Sequence, residues 1–219
     1  MPGEALARDD IRARMDRMYR PQTLVYDLTR RYYLLGRDRL IDGMDARPGE
    51  AVLEVGCGTG RNLAEIGRRY PGVRLSGLDA AAPMLATAEA KLRRLGLAAR
   101  LTRGVAEEVA PDAEEGGFHH VVLSYVLSMV DDPTAAVRAA AGALRPGVGT
   151  LHVVDFGSMA GLPAPVPALM RGWLARFGVR HRPEVEATLR ELAAGGRGRL
   201  TEAARIARGY ALLLRFTAA

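Results

Sequence analysis

The chain has 219 residues, 48% of them hydrophobic, which is enough to bury the core of one domain. No stretch approaches the ~18 consecutive apolar residues that cross a bilayer, and the charged residues at positions 1–10 do not form a secretory leader. We therefore expect a cytoplasmic protein. The net charge is +6, but all except one of the 31 basic residues are arginines scattered along the chain, so we predict no nucleic-acid partner.

The first predicted element is a helical, tyrosine-rich segment at residues 15–44. Tyr19, Tyr26, Tyr32 and Tyr33 alternate there with arginines. A helix placed before the first strand can cover a ligand site and exclude water, although an amphipathic helix packed on a sheet would show the same pattern. We predict that residues 1–46 form a helical cap and that residues 47–219 form the main domain, as one compact unit.

A short apolar run at residues 51–55 leads into a loop with glycine at every second position: Gly56, Gly58 and Gly60. Such a loop turns sharply and has no Cβ atoms to keep a ligand from the backbone. The dinucleotide fingerprint would place glycine at Arg61, and the loop also lacks the Gly-Lys-Ser/Thr of a P-loop. Because Glu54 would repel a phosphate, the loop predicts a cationic nucleoside cofactor.

The next strand is predicted at residues 73–78, and a second acidic residue, Asp79, follows it directly. Asp79 lies 23 positions after Gly56. This is the interval at which a strand-helix-strand unit presents a carboxylate to ribose hydroxyls. Two separate features therefore indicate the same ligand class.

The chain then alternates between strand and helix, which is typical of an α/β protein with a mostly parallel sheet and helices on both faces. Ligands of such sheets bind beyond the carboxyl ends of the strands, so we expect Glu54, Asp79, Ser124 and Asp155 to meet at one edge. A flexible loop is predicted at residues 193–198. The further strands are predicted at residues 99–103, 119–124, 149–155, 199–206 and 210–216, and the helices at residues 62–70, 83–95 and 133–144.

Residues 167–178 place large apolar side chains on one helical face, with arginines within the segment and just after it. The pattern is that of a helix lying at a membrane surface, and equally of a helix packed against the sheet or another subunit. The apolar residues are Leu169, Met170, Trp173, Leu174 and Phe177.

The glycine loop and the Asp79-Ala80-Ala81-Ala82-Pro83-Met84-Leu85 segment resemble the motifs of class I S-adenosylmethionine-dependent methyltransferases. The resemblance implies a Rossmann-like class I methyltransferase fold with seven strands, S-adenosyl-L-methionine as the cofactor and no metal. Residues 104–106 depart from the usual Gly-Asp-Ala, so adenine would depend on backbone groups near Ala106 or on Glu107. The residues implied to bind the cofactor are Tyr33, Arg37, Glu54, Gly56, Cys57, Gly58, Thr59, Gly60, Asn62, Asp79, Ala80, Met84, Ala106 and Ser124.

Beyond these motifs, residues 26–37, 123–129 and 151–157 resemble the betaine-lipid N-methyltransferase family. This implies trimethylation of the amine of diacylglyceryl-homoserine at the inner face of the membrane, with the enzyme that makes this lipid as a partner. Three alternatives remain: methylation of a small soluble amine or a quinone, a catalytically impaired cofactor-binding scaffold, and a nucleic-acid methyltransferase. The last lacks both an N-P-P-Y-type motif and a recognition domain.

Three residues are candidates for the chemistry of methyl transfer to an amine. Asp155 is predicted to orient the ammonium and accept its proton, and an equal alternative is that it caps a loop. Tyr125 and Tyr26 are predicted to face the methylated ammonium through cation-π attraction, as Tyr33 also could. Any of these tyrosines could instead belong to the core.

Overall fold

The computed structural model describes residues 34–111 and 116–219 and contains a seven-stranded mixed sheet. The strand order is β3-β2-β1-β4-β5-β7-β6; the first five are parallel, and β7 runs antiparallel to both β5 and β6. The predicted α/β fold with a mostly parallel sheet is confirmed. The strands are β1 (Ala51–Val55), β2 (Arg74–Asp79), β3 (Ala99–Arg103), β4 (His120–Ser124), β5 (Thr150–Phe156), β6 (Gly198–Ile206) and β7 (Ala211–Ala218).

Every predicted strand and helix of the alternating region is present, with ends that differ by one or two residues. The sequence did not predict the last helix, α6, and the loop predicted at residues 193–198 is shorter than expected, at residues 195–197. Ala193 and Ala194 end α6, and Gly195 and Gly196 donate hydrogen bonds back to its carbonyls in an ordered turn. The helices are α1 (Arg37–Asp42), α2 (Arg61–Arg69), α3 (Ala82–Arg94), α4 (Pro133–Gly142), α5 (Val166–Ala175) and α6 (Glu184–Ala194), with a 3₁₀ turn at Ala106–Glu108.

The central strands are apolar because helices cover both faces of the sheet. All five residues of β1 are buried, as expected of a parallel strand with no solvent-facing side. Side chains alternate between two core layers: Val52 packs in one, and Leu53 and Val55 pack in the other. The first layer includes residues of α1, α2 and α3, and the second includes residues of α4 and α6.

The strand order reverses between β1 and β4, which pair directly although β2 and β3 separate them in the chain. The connections that leave their carboxyl ends therefore run to opposite sides and open a crevice between them. The glycine loop after β1 and the loop after β4 border this crevice. The topology thus places the predicted site at its edge.

Residues 34–46 join the core rather than standing apart from it. Leu40 and Ile41 of α1 are almost fully buried in the first core layer. The predicted cap over residues 1–46 stays a prediction, because residues 1–33, including Tyr26 and Tyr33, lie outside the described residues.

At the opposite end of the sheet, two buried histidines form a short polar chain. His120 Nε2 lies 3.0 Å from Glu50 Oε2, and His120 Nδ1 lies 3.1 Å from His152 Nε2. The pKa of His152 lies well below its usual value, chiefly because burial disfavours the imidazolium and then because a charged His152 would be repelled by a protonated His120 and by Arg215. The pKa of His120 is also lowered by burial. The folded protein therefore holds both rings neutral.

This neutral pair predicts acid sensitivity. Below the unfolded-state pKa of 6.5 the unfolded chain binds protons that the folded chain does not, so stability is lost as the pH falls. Between pH 7.5 and 5.5, His152 should cost about 1 kcal/mol, and wild type should lose more stability than H152Q in urea unfolding. Glu54 and Asp155 titrate with the opposite sign but are present in both proteins. Equal losses for the two proteins would contradict the account.

Candidate functional site

The glycine loop turns through three residues in the left-handed region of backbone conformation. Gly56, Gly58 and Gly60 have φ angles of 70°, 52° and 72°. The N–H groups of Gly56 and Cys57 both donate to the Leu78 carbonyl, at 2.7 and 3.0 Å, which ties the loop to the end of β2. Side chains with a Cβ are strained at these angles, so the glycines are required by the turn.

The space around the three glycines differs. A Cβ on Gly56 would overlap Val126 Cγ2, and one on Gly60 would lie 2.9 Å from Ala88 Cβ, so these two glycines allow close packing. At Gly58 no heavy atom of the described residues lies within 4 Å of the Cβ position. The Gly58 backbone is therefore the part of the loop that a ligand can approach.

Glu54 lies at the end of β1 with only 2% of its surface exposed. Its Oε1 accepts a hydrogen bond of 2.7 Å from Asn62 Nδ2, whereas its buried Oε2 has no partner among the described residues. Burial raises the pKa of this carboxyl to about 8, against lowering contributions that include Asn62 and the charge of Arg37. A cationic group near Oε2 would supply the missing partner and would favour the carboxylate form.

Arg37 is buried at the first turn of α1 and places its charge near two site groups. Its charge lowers the pKa of Glu54. It also lowers the pKa of Tyr125, although burial has the larger effect there and raises that pKa overall. Arg37 and Glu54, both predicted to bind the cofactor, thus lie close enough for their charges to interact.

Asp79 faces the loop from the end of β2. Its Oδ2 accepts from the Gly58 N–H at 2.7 Å, and its Oδ1 accepts from the Ala81 N–H at 2.9 Å. A carboxylate oxygen can accept more than one hydrogen bond, so these contacts orient the group and leave it able to bind hydroxyls. The two acidic residues of the motif therefore lie on either side of the glycine loop.

The other residues predicted to bind the cofactor contribute mainly through packing. Cys57 is buried, and burial raises the pKa of its thiol, which fits the small packing role assigned from the sequence. The Thr59 hydroxyl accepts from Lys91 Nζ at 3.1 Å. Met84 is 2% exposed and packs with Ala81 and Met129. Ala106 is buried in the 3₁₀ turn, and the Ala80 carbonyl accepts from Arg103.

The end of β4 forms the other border of the crevice. The Ser124 Oγ is buried without a partner in the described part of the chain. Tyr125 follows it with a φ of 56°, and its hydroxyl donates to the Leu35 carbonyl at 2.6 Å. The Tyr125 ring packs edge-on against Phe156, with centroids 4.8 Å apart. These contacts hold Tyr125 in the wall of the site rather than free in solvent.

Asp155 is buried at the end of β5, and its contacts fit the loop-capping alternative. Its Oδ2 accepts from the Ser128 N–H at 3.0 Å, and its Oδ1 accepts from the Phe156 N–H at 2.7 Å. Burial raises its pKa to about 6, opposed by these hydrogen bonds. A base role for Asp155 stays a prediction.

Two residues that fit the loop to its neighbours were not predicted from the sequence. Val126 fills the space beside Gly56, and Lys91 reaches across from α3 to Thr59. No local pattern marks either residue, because each contact joins segments that are distant in the chain and depends on how closely they approach in the fold.

Alanine substitutions at the loop glycines should lower the stability of the protein by different amounts. Gly56→Ala should cost about 3 kcal/mol, because the methyl group overlaps Val126 and the backbone is strained, whereas Gly58→Ala should cost about 1 kcal/mol from strain alone. Gly96 has a similar φ of 69° and an open Cβ position, so Gly96→Ala is the matched control for Gly58→Ala in urea unfolding. Equal costs at Gly56 and Gly58 would contradict this geometry.

The glycine loop lies within a region that matches a known family. A family model for a methyltransferase domain matches residues 52–147. Demethylmenaquinone methyltransferase from Beutenbergia cavernae is 36% identical over 157 residues, which cover 69% of this chain and 61% of that protein. The chain thus spans less than two thirds of that relative's length.

Solved structures share the fold. An S-adenosylmethionine-dependent methyltransferase from Aquifex aeolicus matches with a TM-score of 0.65 and 16% identity, covering 87% of this chain and 93% of that one. An O-methyltransferase from neocarzinostatin biosynthesis, in complex with S-adenosylmethionine and 2-hydroxy-5-methyl naphthoic acid, matches with a TM-score of 0.58 and 26% identity, covering 78% of this chain and 49% of that one.

Three observations agree: the sheet order with its antiparallel β7, the acidic residues around the glycine loop, and the family match across them. Within the described residues, Glu54 Oε2 has no hydrogen-bond partner and the Gly58 backbone is open. Both features fit S-adenosylmethionine, the methyl donor of this class. The chain contains a class I S-adenosylmethionine-dependent methyltransferase domain.

Proposed function

We propose that this protein transfers the methyl group of S-adenosylmethionine to a small acceptor with an apolar body, of which a quinone-type ring is the leading candidate. The observation that carries the proposal is the position of an aromatic wall next to the cofactor loop. Support for the ring comes from the relative named for demethylmenaquinone and from the structure that holds a naphthoic acid.

Three groups would hold the cofactor in this proposal. The Glu54 carboxyl would receive the cationic amino-acid end, the Asp79 carboxylate the ribose hydroxyls, and the Gly58 backbone would allow the close approach between them. When bound, S-adenosylmethionine supplies a methyl group attached to a positively charged sulfur, which is a good leaving group. The protein then mainly aligns the acceptor and excludes water.

The acceptor would lie against aromatic rings at the ends of β4 and β5. Phe156 stands between Tyr125 and Tyr210, with ring centroids 4.8 and 5.8 Å away and edge-on geometry in both pairs. All three belong to the core layer that continues under α5, with Met159 and Leu174. Such a wall suits a flat or aliphatic acceptor body better than a charged one.

The Ser124 hydroxyl is a polar group available at the carboxyl end of β4, because its oxygen is buried and lacks a partner among the described residues. It would orient the acceptor by a hydrogen bond to a ring oxygen or an amine. The Asp155 carboxyl already accepts two backbone N–H groups, so its part would be to fix the loop that carries Ser128.

A lipid amine is the second candidate acceptor. It is favoured by the segments that resemble betaine-lipid N-methyltransferases and by the exposed apolar side chains of α5. The relatives reported above do not carry a betaine-lipid name, so diacylglyceryl-homoserine ranks below the quinone-type ring. The departure from Gly-Asp-Ala at residues 104–106 leaves a cofactor-binding scaffold as the outcome if binding occurs without turnover.

Cofactor binding should release a proton from Glu54. The pKa of this carboxyl is about 8, so it is largely protonated at pH 7, whereas a cationic ligand requires the carboxylate. Affinity for S-adenosylmethionine should rise about tenfold from pH 6 to 7 and about fivefold from pH 7 to 8. Calorimetry in buffers of different ionisation enthalpy measures both effects.

Glu54→Gln should abolish the pH dependence and weaken binding at pH 8 by about tenfold or more, because the charge is lost. Glu89→Gln, an exposed substitution on α3, is the control and should behave as wild type. Proton release that persists in the E54Q variant would contradict the assignment.

The acceptor is tested by following label from methyl-labelled S-adenosylmethionine. Reduced naphthoquinones without the ring methyl group, small amines, diacylglyceryl-homoserine and RNA are offered in parallel. We expect label in the quinone arm, and Ser124→Ala should raise KM more than it lowers kcat. Label in the lipid arm alone would favour the second candidate, and cofactor binding with no label in any arm would favour the scaffold.

A further inference from the structure

Large apolar side chains are exposed together on one short segment. Among residues 34–111 and 116–219, seven large apolar side chains are exposed, and four of them lie in or just after α5. Leu169 is 69% exposed and Trp173 is 41% exposed, and these two also line an open groove of about 390 Å³. The other two are Val166, at 40%, and Phe177, at 54%. We call these four residues the α5 surface.

The four side chains form one continuous stripe. Their spacing of three, four and four residues places them on a single helical face, and the Trp173 and Phe177 rings contact edge-on with centroids 5.1 Å apart. Leu174, on the neighbouring face, is buried and attaches the helix to the core. The helix therefore already has its packing partner, and the α5 surface is additional to it.

Only positive charge surrounds this stripe in the sequence. Between Phe156 and Glu184 the chain has four arginines and one histidine but no acidic residue. Arg176 and Arg180 are exposed next to the stripe, so their charge is available at its border. Apolar side chains bordered by arginines are the composition of a helix that lies in the lipid headgroup region.

The positive charge next to the α5 surface also indicates which kind of partner the surface would bind. A second copy docked by the same surface would bring two arginine clusters together without acidic residues between them, which is repulsive. A nucleic acid would pair with the arginines but would leave the apolar stripe uncovered. An anionic bilayer surface satisfies both.

The segment that continues from the α5 surface contacts the loop after β4. The segment begins after the carboxyl end of β5, and the Arg180 N–H donates to the Ser128 carbonyl at 2.9 Å, next to the loop held by Asp155. Arg182 donates from Nη2 to the Val130 carbonyl at 2.6 Å. A bilayer held at this surface would therefore lie near the end of the sheet at which the acceptor is proposed to bind.

We propose that the α5 surface docks the protein on an anionic lipid bilayer, with Leu169, Trp173 and Phe177 in the acyl boundary and Arg176 and Arg180 on lipid phosphates. Within the described residues no helix is long and apolar enough to cross a membrane. Because α5 has ten residues, the attachment proposed for this surface is peripheral. The proposal does not rest on the identity of the acceptor.

Trp173 is the single tryptophan and reports on this directly. The full chain is titrated with vesicles of phosphatidylcholine alone or with phosphatidylglycerol, without any methyl donor. We expect a blue shift of the emission with anionic vesicles only, quenching by brominated acyl chains, and weakening at high salt.

Matched substitutions locate the contact. Leu169→Ser should lower the affinity for anionic vesicles about tenfold, whereas Leu95→Ser, which removes a similarly exposed leucine beyond α3, should not change it. Arg176→Ala with Arg180→Ala should lower it about fivefold per arginine, and the pair Arg93→Ala with Arg94→Ala on α3 should have much less effect.

Four results would overturn the proposal. They are no binding to either vesicle, equal binding to neutral and anionic vesicles, equal loss in the α3 controls, and a blue shift that grows with protein concentration in the absence of lipid. The last would assign the α5 surface to contact between copies. Because methyl transfer is measured separately, failure here is distinguishable from failure of the proposed function.

Discussion

The buried carboxyl of Glu54 is the constraint on which the site depends. A carboxyl group at the end of the central strand loses its hydration, and the protein returns only part of that loss through Asn62. The remaining oxygen has no partner in the described structure, and the pKa rises to about 8 in consequence. Such an arrangement is costly unless a ligand completes it, which is why a structural role alone does not account for it.

Two parts of the proposed site lie around this carboxyl, one for the cofactor and one for the acceptor, and different elements of the fold form them. The half that would bind the cofactor is made by the sheet itself: β1 presents Glu54, β2 presents Asp79, and the loop between them is held by backbone hydrogen bonds. The half that would bind the acceptor is made by the ends of β4 and β5 and by the segment that follows. The first half would set the cofactor, whereas the second would determine the acceptor.

Much of the fold and the cofactor half could be predicted from the sequence because their determinants are local. Apolar runs predicted β1, β4 and β5, and the glycines at 56, 58 and 60 predicted the turn, since each depends on residues that adjoin in the chain. α6 was not predicted, although Val185, Leu189 and Leu192 follow the spacing of a helical face. The contacts of Asp155 were not predictable: its role depends on the Ser128 N–H, which only the folded chain brings within reach.

In the acceptor half, too, the local pattern was predictable from the sequence but the contacts made in the fold were not. The apolar stripe of α5 was visible as a helical pattern, but the pattern could not tell whether the core covers it, and the structure shows that Leu174 is buried whereas Leu169 and Trp173 are exposed. Tyr26 and Tyr33 lie outside the described residues, and their predicted contact with a methylated ammonium stays a prediction.

The most direct test of the account is a crystal structure of the full chain grown with S-adenosylmethionine. The account predicts that the amino group of the cofactor lies within hydrogen-bond distance of Glu54 Oε2, with the ribose hydroxyls on Asp79 and the chain of the cofactor over Gly58. A cofactor bound elsewhere, or one that leaves the Glu54 oxygen without a partner, would contradict it.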